Sequence, residues 1–277
     1  SDQSFMADLA DRILNSHPDF FMFGECWVSS PAAQSSYLSG SALSTHDSHL
    51  SSVKDFQLHF ALRDAIQENP TWRTGITRVH ATLAQDGVYP DPNRLITFVD
   101  NHDTDRWSSV AGNIPRTRYG IGLVMMTRGI PCLYYGTELG MDGFAAPDGL
   151  VRDDFPGGWD SDKRNAFLAS ERTPTENKLW NYTAALGQTR KNHRACFASP
   201  MSHLIPRKGQ YHFLRSDGEH HLLVITNASD QADALDWSSL SPLQNGAQTG
   251  TSVLGIHGSG PVEFDWGQDM TLEPWHF

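Results

Sequence analysis

The sequence predicts an α/β fold followed by an all-β segment. Apolar runs that close on polar or acidic residues alternate with helical patterns up to about residue 194, and beyond Cys196 the segments become short, with period-two or β-branched character. Turn dipeptides such as Lys208-Gly209 and Asp217-Gly218 separate these later segments. Continuous apolar strands interleaved with helices build parallel sheets, whereas short strands joined by tight turns build antiparallel ones.

The elements follow in order. Over residues 5–14, Met6, Leu9, Ala10 and Ile13 recur at helical spacing and Pro18 stops the pattern, so an amphipathic helix is expected. Residues 20–23 run apolar without alternation into Gly24-Glu25, the pattern of a strand buried on both faces. Residues 53–60 read as a strand passing into a helix over 61–67, and a second helix over 74–85 follows the Asn69-Pro70 break. The run 95–99 closes on Asp100-Asn101-His102-Asp103, after which a helix near 116–127 leads through Gly129 into a strand at 130–135. A glycine-rich loop extends to Asp160, and the helix 177–192 carries Leu179, Tyr182, Leu186 and Thr189 on one stripe. Strands are then expected at 203–207, 211–215, 221–226, 252–256 and 270–275, with a turn at Gly258-Ser259-Gly260 and a long loop over 227–250.

Composition narrows the function classes. A net charge of −11 over 277 residues repels phosphate backbones and anionic lipid, which argues against nucleic acid and membrane surfaces as partners. The apolar stretches 120–126 and 130–135 fall well short of the roughly 20 residues a bilayer span needs, so no span is expected. Cys26, Cys132 and Cys196 have no CxxC spacing, and neither a disulfide framework nor a zinc site is indicated. The compartment stays open on this count. Ser1 to Ser4 include no initiator Met and no leader pattern, so the natural chain is expected to start earlier.

In parallel α/β folds, sites form at the carboxyl ends of the strands. Glu25 and Asp103 stand at such ends. They suit glycosidic bond cleavage, where one carboxyl protonates the leaving oxygen and another stabilises or attacks the oxocarbenium ion; equally, each suits a structural acceptor for backbone amides. His46, Asp47 and His49 in a Ser-rich loop are weak evidence for a metal site, and no metal or cofactor is expected. Cys26 has no evident base beside it and reads as a small buried residue rather than a nucleophile.

Phe23-Gly24-Glu25-Cys26-Trp27 and Phe98-Val99-Asp100-Asn101-His102-Asp103 together resemble the third and fourth conserved regions of the α-amylase family, glycoside hydrolase family 13. Residues 55–63 are similar to the sixth-strand segment of neopullulanases and cyclomaltodextrinases, 129–138 to their eighth strand, and 148–159 to the loop after it. The resemblance covers roughly residues 1–195, and the terminal strands resemble the family's β-sandwich. It implies a partial (β/α)8 barrel, strands five to eight, over 1–194, followed by a small antiparallel β-sandwich over 195–277. It further implies retaining hydrolysis or transglycosylation of α-1,4-glucosidic bonds in starch, maltooligosaccharides or cyclodextrins, so the expected partner is an α-glucan. Glu25 matches the family's acid/base, while Asp103 and His102, with Asn101, match the groups that hold the sugar at the cleavage subsite. Trp27 is expected either to stack on a sugar or to lie in the core; Arg106 either lines the cleft or supports its loop. Asp153, with Asp148 and Arg152, either shapes donor subsites or is simply solvated.

The family nucleophile is an Asp on the fourth strand in an Arg-x-Asp motif, and residues 1–6 resemble the segment that follows that strand. Arg63-Asp64 and Arg152-Asp153 lack the spacing to replace it. A retaining reaction needs a nucleophilic carboxylate about 5 to 5.5 Å from the acid, so this chain alone is expected to be a poor catalyst. Three readings stay open: part of a hydrolase whose N-terminal half is missing or supplied by another chain, a truncated α-glucan-binding protein that closes its sheet edge as a homo-oligomer with weak or no catalysis, or an idle remnant. Relatives in the resembled family occur in cytoplasm, periplasm and outside the cell, so localisation also stays open.

Overall fold

The arrangement comes from a computed structural model that describes residues 2–244, 247, 249–252 and 263–277. Parallel pairing organises its first part. Helix α1 (Gln3–Ser16) starts where the Asp2 side chain accepts the Ser4 and Phe5 amides at 2.7 and 3.2 Å. Strand β1 (Phe23–Gly24) pairs in parallel with β2 (Ser52–Val53), and Lys54 bridges in parallel to Ile96 of β3 (Ile96–Thr97), which pairs in parallel with β4 (Ile130–Pro131). The result is an arc of four parallel strands that is not closed among the described residues.

Around the arc run α2 (Pro31–Ser35), α3 (Phe56–Ala65), α4 (Thr77–Leu83), α5 (Trp107–Ala111), α6 (Ile114–Met126), α7 (Pro174–Asn192) and α8 (Arg194–Ala198). Helix α7 begins in a capping box in which Thr173 and Glu176 bond each other's backbone amides, with Pro174 in the first turn. Helix α6 carries two glycines on its buried faces. A Cβ at Gly120 would lie 2.1 Å from the Trp107 ring, and one at Gly122 would lie 2.3 Å from the Tyr182 hydroxyl, so both helices approach closer than any side chain allows.

The second part is antiparallel. Strands β5 (Met201–His203), β6 (Gln210–Ser216) and β7 (His221–Asn227) form a three-stranded sheet; β8 (Asp233–Ala234) pairs with β11 (Thr271–Leu272), and β9 (Thr249–Thr251) with β10 (Glu263–Asp265). Alternation along β7 sends Leu222 and Val224 into the large core beside Tyr119 and Ile121 of α6, and Leu223 and Ile225 into a smaller core with Trp237, Leu240 and Leu272. The sheet is therefore the middle layer between helices and the short strand pairs.

Several elements differ from expectation. Residues 20–22 lie outside the strand, and Phe20, Phe21 and Phe23 are exposed rather than buried on both faces, because β1 has a neighbour on one side only among the described residues. The strand-to-helix passage expected over 53–60 ends at Val53, because the Asp55 carboxylate accepts the Leu58 amide at 3.1 Å and starts α3 at Phe56. The strand expected over 130–135 is cut to two residues. The expected long loop at 227–250 holds β8, a 3₁₀ turn over Trp237–Leu243 capped by Asp236, and the start of β9. Residues 253–256 of the expected strand 252–256, and the Gly258-Ser259-Gly260 turn, lie outside the described residues.

Candidate active site

The register of β1 on β2 sets Glu25 beside Lys54, since Gly24 faces Val53 one residue earlier. Lys54 Nζ donates to Glu25 Oε1 at 2.8 Å, and the Glu25 side chain keeps 34% exposure. The ammonium holds one carboxylate oxygen, and among the described residues no hydrogen bond is made to the other. Lys54 also sits 5.9 Å from the Phe98 ring centroid. Phe98 packs edge-on to Phe56 at 5.0 Å, and the half-exposed Trp27 ring lies 4.3 Å from Phe56. Trp27 thus stands half-exposed at the strand end that carries Glu25.

The loop after β3 is tied by its own side chains. Asn101 Oδ1 accepts the Asp103 amide at 2.9 Å and Thr104 Oγ1 accepts the Asn101 amide at 2.9 Å, which turns Asp103 outward. Both Asp103 oxygens are engaged: Arg152 Nη2 donates to Oδ1 at 2.8 Å, and His102 Nε2 lies 3.2 Å from Oδ2. Arg152 also donates from Nε to the His102 carbonyl at 3.0 Å and from Nη1 to Asp148 at 2.8 Å. Behind them Asp100 is buried, accepting from the Trp107 amide and Thr137 Oγ1; burial pushes its carboxyl up, against those bonds and the nearby Arg106.

Arg106 does not line the cleft. Its side chain is 0% exposed, bonded to the Tyr135 carbonyl at 2.7 Å and stacked 4.2 Å from the Tyr134 ring centroid, so no sugar reaches it. Asp153 is exposed, and its carbonyl oxygen accepts the Tyr135 hydroxyl at 2.9 Å; its neighbour Arg152, not Asp153, touches Asp103. Lys54 was missed in the sequence because its role depends on strand register, which a lone lysine before Asp55 does not signal. Cys26 is buried, and burial pushes its thiol up to about 11, which keeps it protonated and inert. Asp47 caps the Gly40 and His49 amides, and among the described residues no group of three His, Cys, Asp or Glu side chains could hold a metal ion. No helix among them is long and apolar enough to cross a membrane.

Residues 1–211 match the family model "Alpha amylase, catalytic domain", and residues 201–275 match "Cyclo-malto-dextrinase C-terminal domain". A cyclomaltodextrin glucanotransferase of Niallia circulans is 30% identical over 138 residues, 49% of this chain and 18% of that protein. Another, from Paenibacillus macerans, is 25% identical over 73% of this chain and 25% of its own length. Among solved structures, the α-amylase of Geobacillus thermoleovorans superimposes with a TM-score of 0.74 at 20% identity, over 99% of this chain and 56% of that one. The chain belongs to the α-amylase catalytic-domain family, with a cyclomaltodextrinase-type C-terminal region. It spans a quarter or less of these two curated relatives and about half of the solved amylase.

Proposed function

We propose that this chain carries the acid/base side of an α-amylase-type active site acting on α-1,4-glucans. The carrying observation is that Glu25 and Asp103, in the two family-like motifs, both stand partly exposed at carboxyl ends of one parallel arc, Glu25 paired with Lys54 and Asp103 with Arg152 and His102. Glu25 protonates the leaving oxygen through the carboxyl oxygen that Lys54 does not hold. Asp103 and His102 bind the hydroxyls of the sugar at the cleavage point, with Asn101 setting their turn; Trp27 stacks on the next sugar, and Asp153 flanks the donor side. In this reading β1 to β4 are barrel strands five to eight, the barrel part ends at residue 194, and the nucleophilic carboxylate is not among these 277 residues. The names of the relatives make both hydrolysis and transglycosylation candidate outcomes.

The exposed Phe20, Phe21 and Phe23 at the free edge of the arc favour a second reading beside the first: another polypeptide unit, an N-terminal half or a second copy, closes the barrel. Without it the chain is an α-glucan binder with weak or no catalysis.

The test is maltoheptaose binding by tryptophan fluorescence, with reducing-sugar release from starch, pullulan and cyclodextrin measured alongside. Binding should be saturable and about tenfold or more weaker in Asp103→Ala, the size expected for losing hydrogen bonds to a charged group. Glu25→Gln should keep binding and lose whatever turnover the chain has. No saturable binding, or turnover that survives Glu25→Gln, overturns the reading.

A further inference from the structure

The loop bearing Asp103 and the loop bearing Arg152 and Asp153 leave different strands, β3 and β4, yet the contacts of Asp103 require them to hold a fixed spacing. One buried side chain joins their roots. The Arg106 amide donates to the Gly143 carbonyl at 2.9 Å, and its guanidinium donates from Nη1 to the Tyr135 carbonyl at 2.7 Å. The same Nη1 lies 4.0 Å from Asp100 Oδ2, and Asp100 in turn accepts from Thr137 Oγ1 at 2.7 Å. The guanidinium carbon lies 4.2 and 4.9 Å from the ring centroids of Tyr134 and Tyr135. Tyr135 carries the link outward, its hydroxyl donating to the Asp153 carbonyl at 2.9 Å, next to the Arg152 that grips Asp103.

The arrangement is not one that stability alone would select. Arg106 is fully buried, while its Nε and Nη2 have no hydrogen-bond partner among the described residues. A buried cation with unfilled donors is costly, and a well-packed apolar residue serves stability as well or better. What only the planar, forked guanidinium supplies here is a simultaneous bond to the β4 side, a charge toward the β3 side, and a flat face for two tyrosines.

We propose that Arg106 is a positioning residue, a brace that sets the spacing between the Asp103 loop and the Arg152–Asp153 loop and through it the α-glucan affinity of Asp103. This rests on the reading of Asp103 as a sugar-binding group. It predicts that Arg106 acts on saccharide only by way of Asp103, which a merely structural role does not.

A double-mutant cycle tests it. Maltoheptaose affinity and thermal midpoint are measured for the 277-residue chain, Arg106→Lys, Asp103→Ala and the double variant. Arg106→Lys should weaken binding about tenfold, and the double variant should bind no more weakly than Asp103→Ala, because coupled residues are not additive. A folded Arg106→Lys protein with unchanged affinity, or two losses that multiply, overturns the brace while leaving Asp103 as the binding group. Absence of an Asp103→Ala effect overturns the underlying reading and the brace together. Should Arg106→Lys fail to fold, Tyr135→Phe replaces it in the cycle. It deletes the hydroxyl bond to Asp153, along with the hydroxyl's contact to Tyr134, and should show the same non-additivity with a loss of about threefold, the scale of one neutral hydrogen bond.

Discussion

Two sets of ion pairs in this molecule use the same chemistry for opposite ends. Arg128, buried between α6 and β4, bonds Asp86 through Nε and Nη2 at 2.8 to 3.0 Å and Asp55 through Nη1, and Asp55 also accepts from Gln34. Burial opposes the Arg128 charge, yet the two carboxylates outweigh it and raise its pKa. At the carboxyl ends of the strands, the Glu25 and Asp103 carboxylates paired with Lys54 and Arg152 stay about one-third exposed, at 34% and 38%. The first set cannot be opened without stranding charge in the interior. The second can be opened at little cost, as the proposed binding of a sugar hydroxyl there would require.

The contrast breaks most visibly at Arg128. Arg128→Met leaves Asp55 and Asp86 without their cation and should cost about 3 to 5 kcal/mol in denaturant unfolding at pH 7. A loss under 1 kcal/mol would place the network on the same footing as the surface pairs.

Acid separates buried from open groups next. Burial holds His59, His203 and His212 down to about 4, with His80 adding to the effect on His203. The unfolded chain takes up these protons near 6.5 and the folded chain only near 4, so their contribution is complete above pH 6.5 and is lost as pH falls toward 4. Each should remove up to about 1.4 kcal/mol of stability per pH unit across that window. Guanidinium titrations from pH 7 to pH 4 should therefore slope well above the range of Asp217, whose bonds to the His220 and Glu219 amides hold it to about 2. A flat profile down to pH 5 contradicts the burial of these rings.

Packing sharpens the comparison at Gly120. Gly120→Ala drives a methyl into Trp107 and should destabilise by about 1 to 3 kcal/mol, read as a lowered thermal midpoint. The smallest effect belongs to the most exposed pair: Arg152→Ala should change stability by less than about 1 kcal/mol. A larger loss would mean that this pair holds the fold rather than the site.

Much of the architecture was legible because its signals are local. The apolar runs ending at Glu25 and before Asp100 are visible in one dimension, as are the stripe of α7 and the alternation in β7. Boundaries were less so: the Asp55 cap that starts α3 and the single neighbour of β1 depend on where side chains and strands meet. The same holds at the site. Asp103, His102 and Glu25 were readable as residues, but their cations were not, since Lys54 arrives by strand register and Arg152 by a loop returning from β4. Arg106 was ambiguous in sequence because an arginine after a polar loop reads alike whether it faces solvent or two tyrosines.

Helix α6 and the three-stranded sheet share one apolar wall, in which Tyr119, Ile121, Tyr211, Phe213, Val224 and Trp275 pack together and the Tyr119 hydroxyl meets Thr226 Oγ1 at 3.1 Å. A wall shared in this way predicts a single cooperative melting transition for helix α6 and the antiparallel sheet. Replacing the inner face of the sheet without the matching face of α6 would leave these side chains without their packing partners.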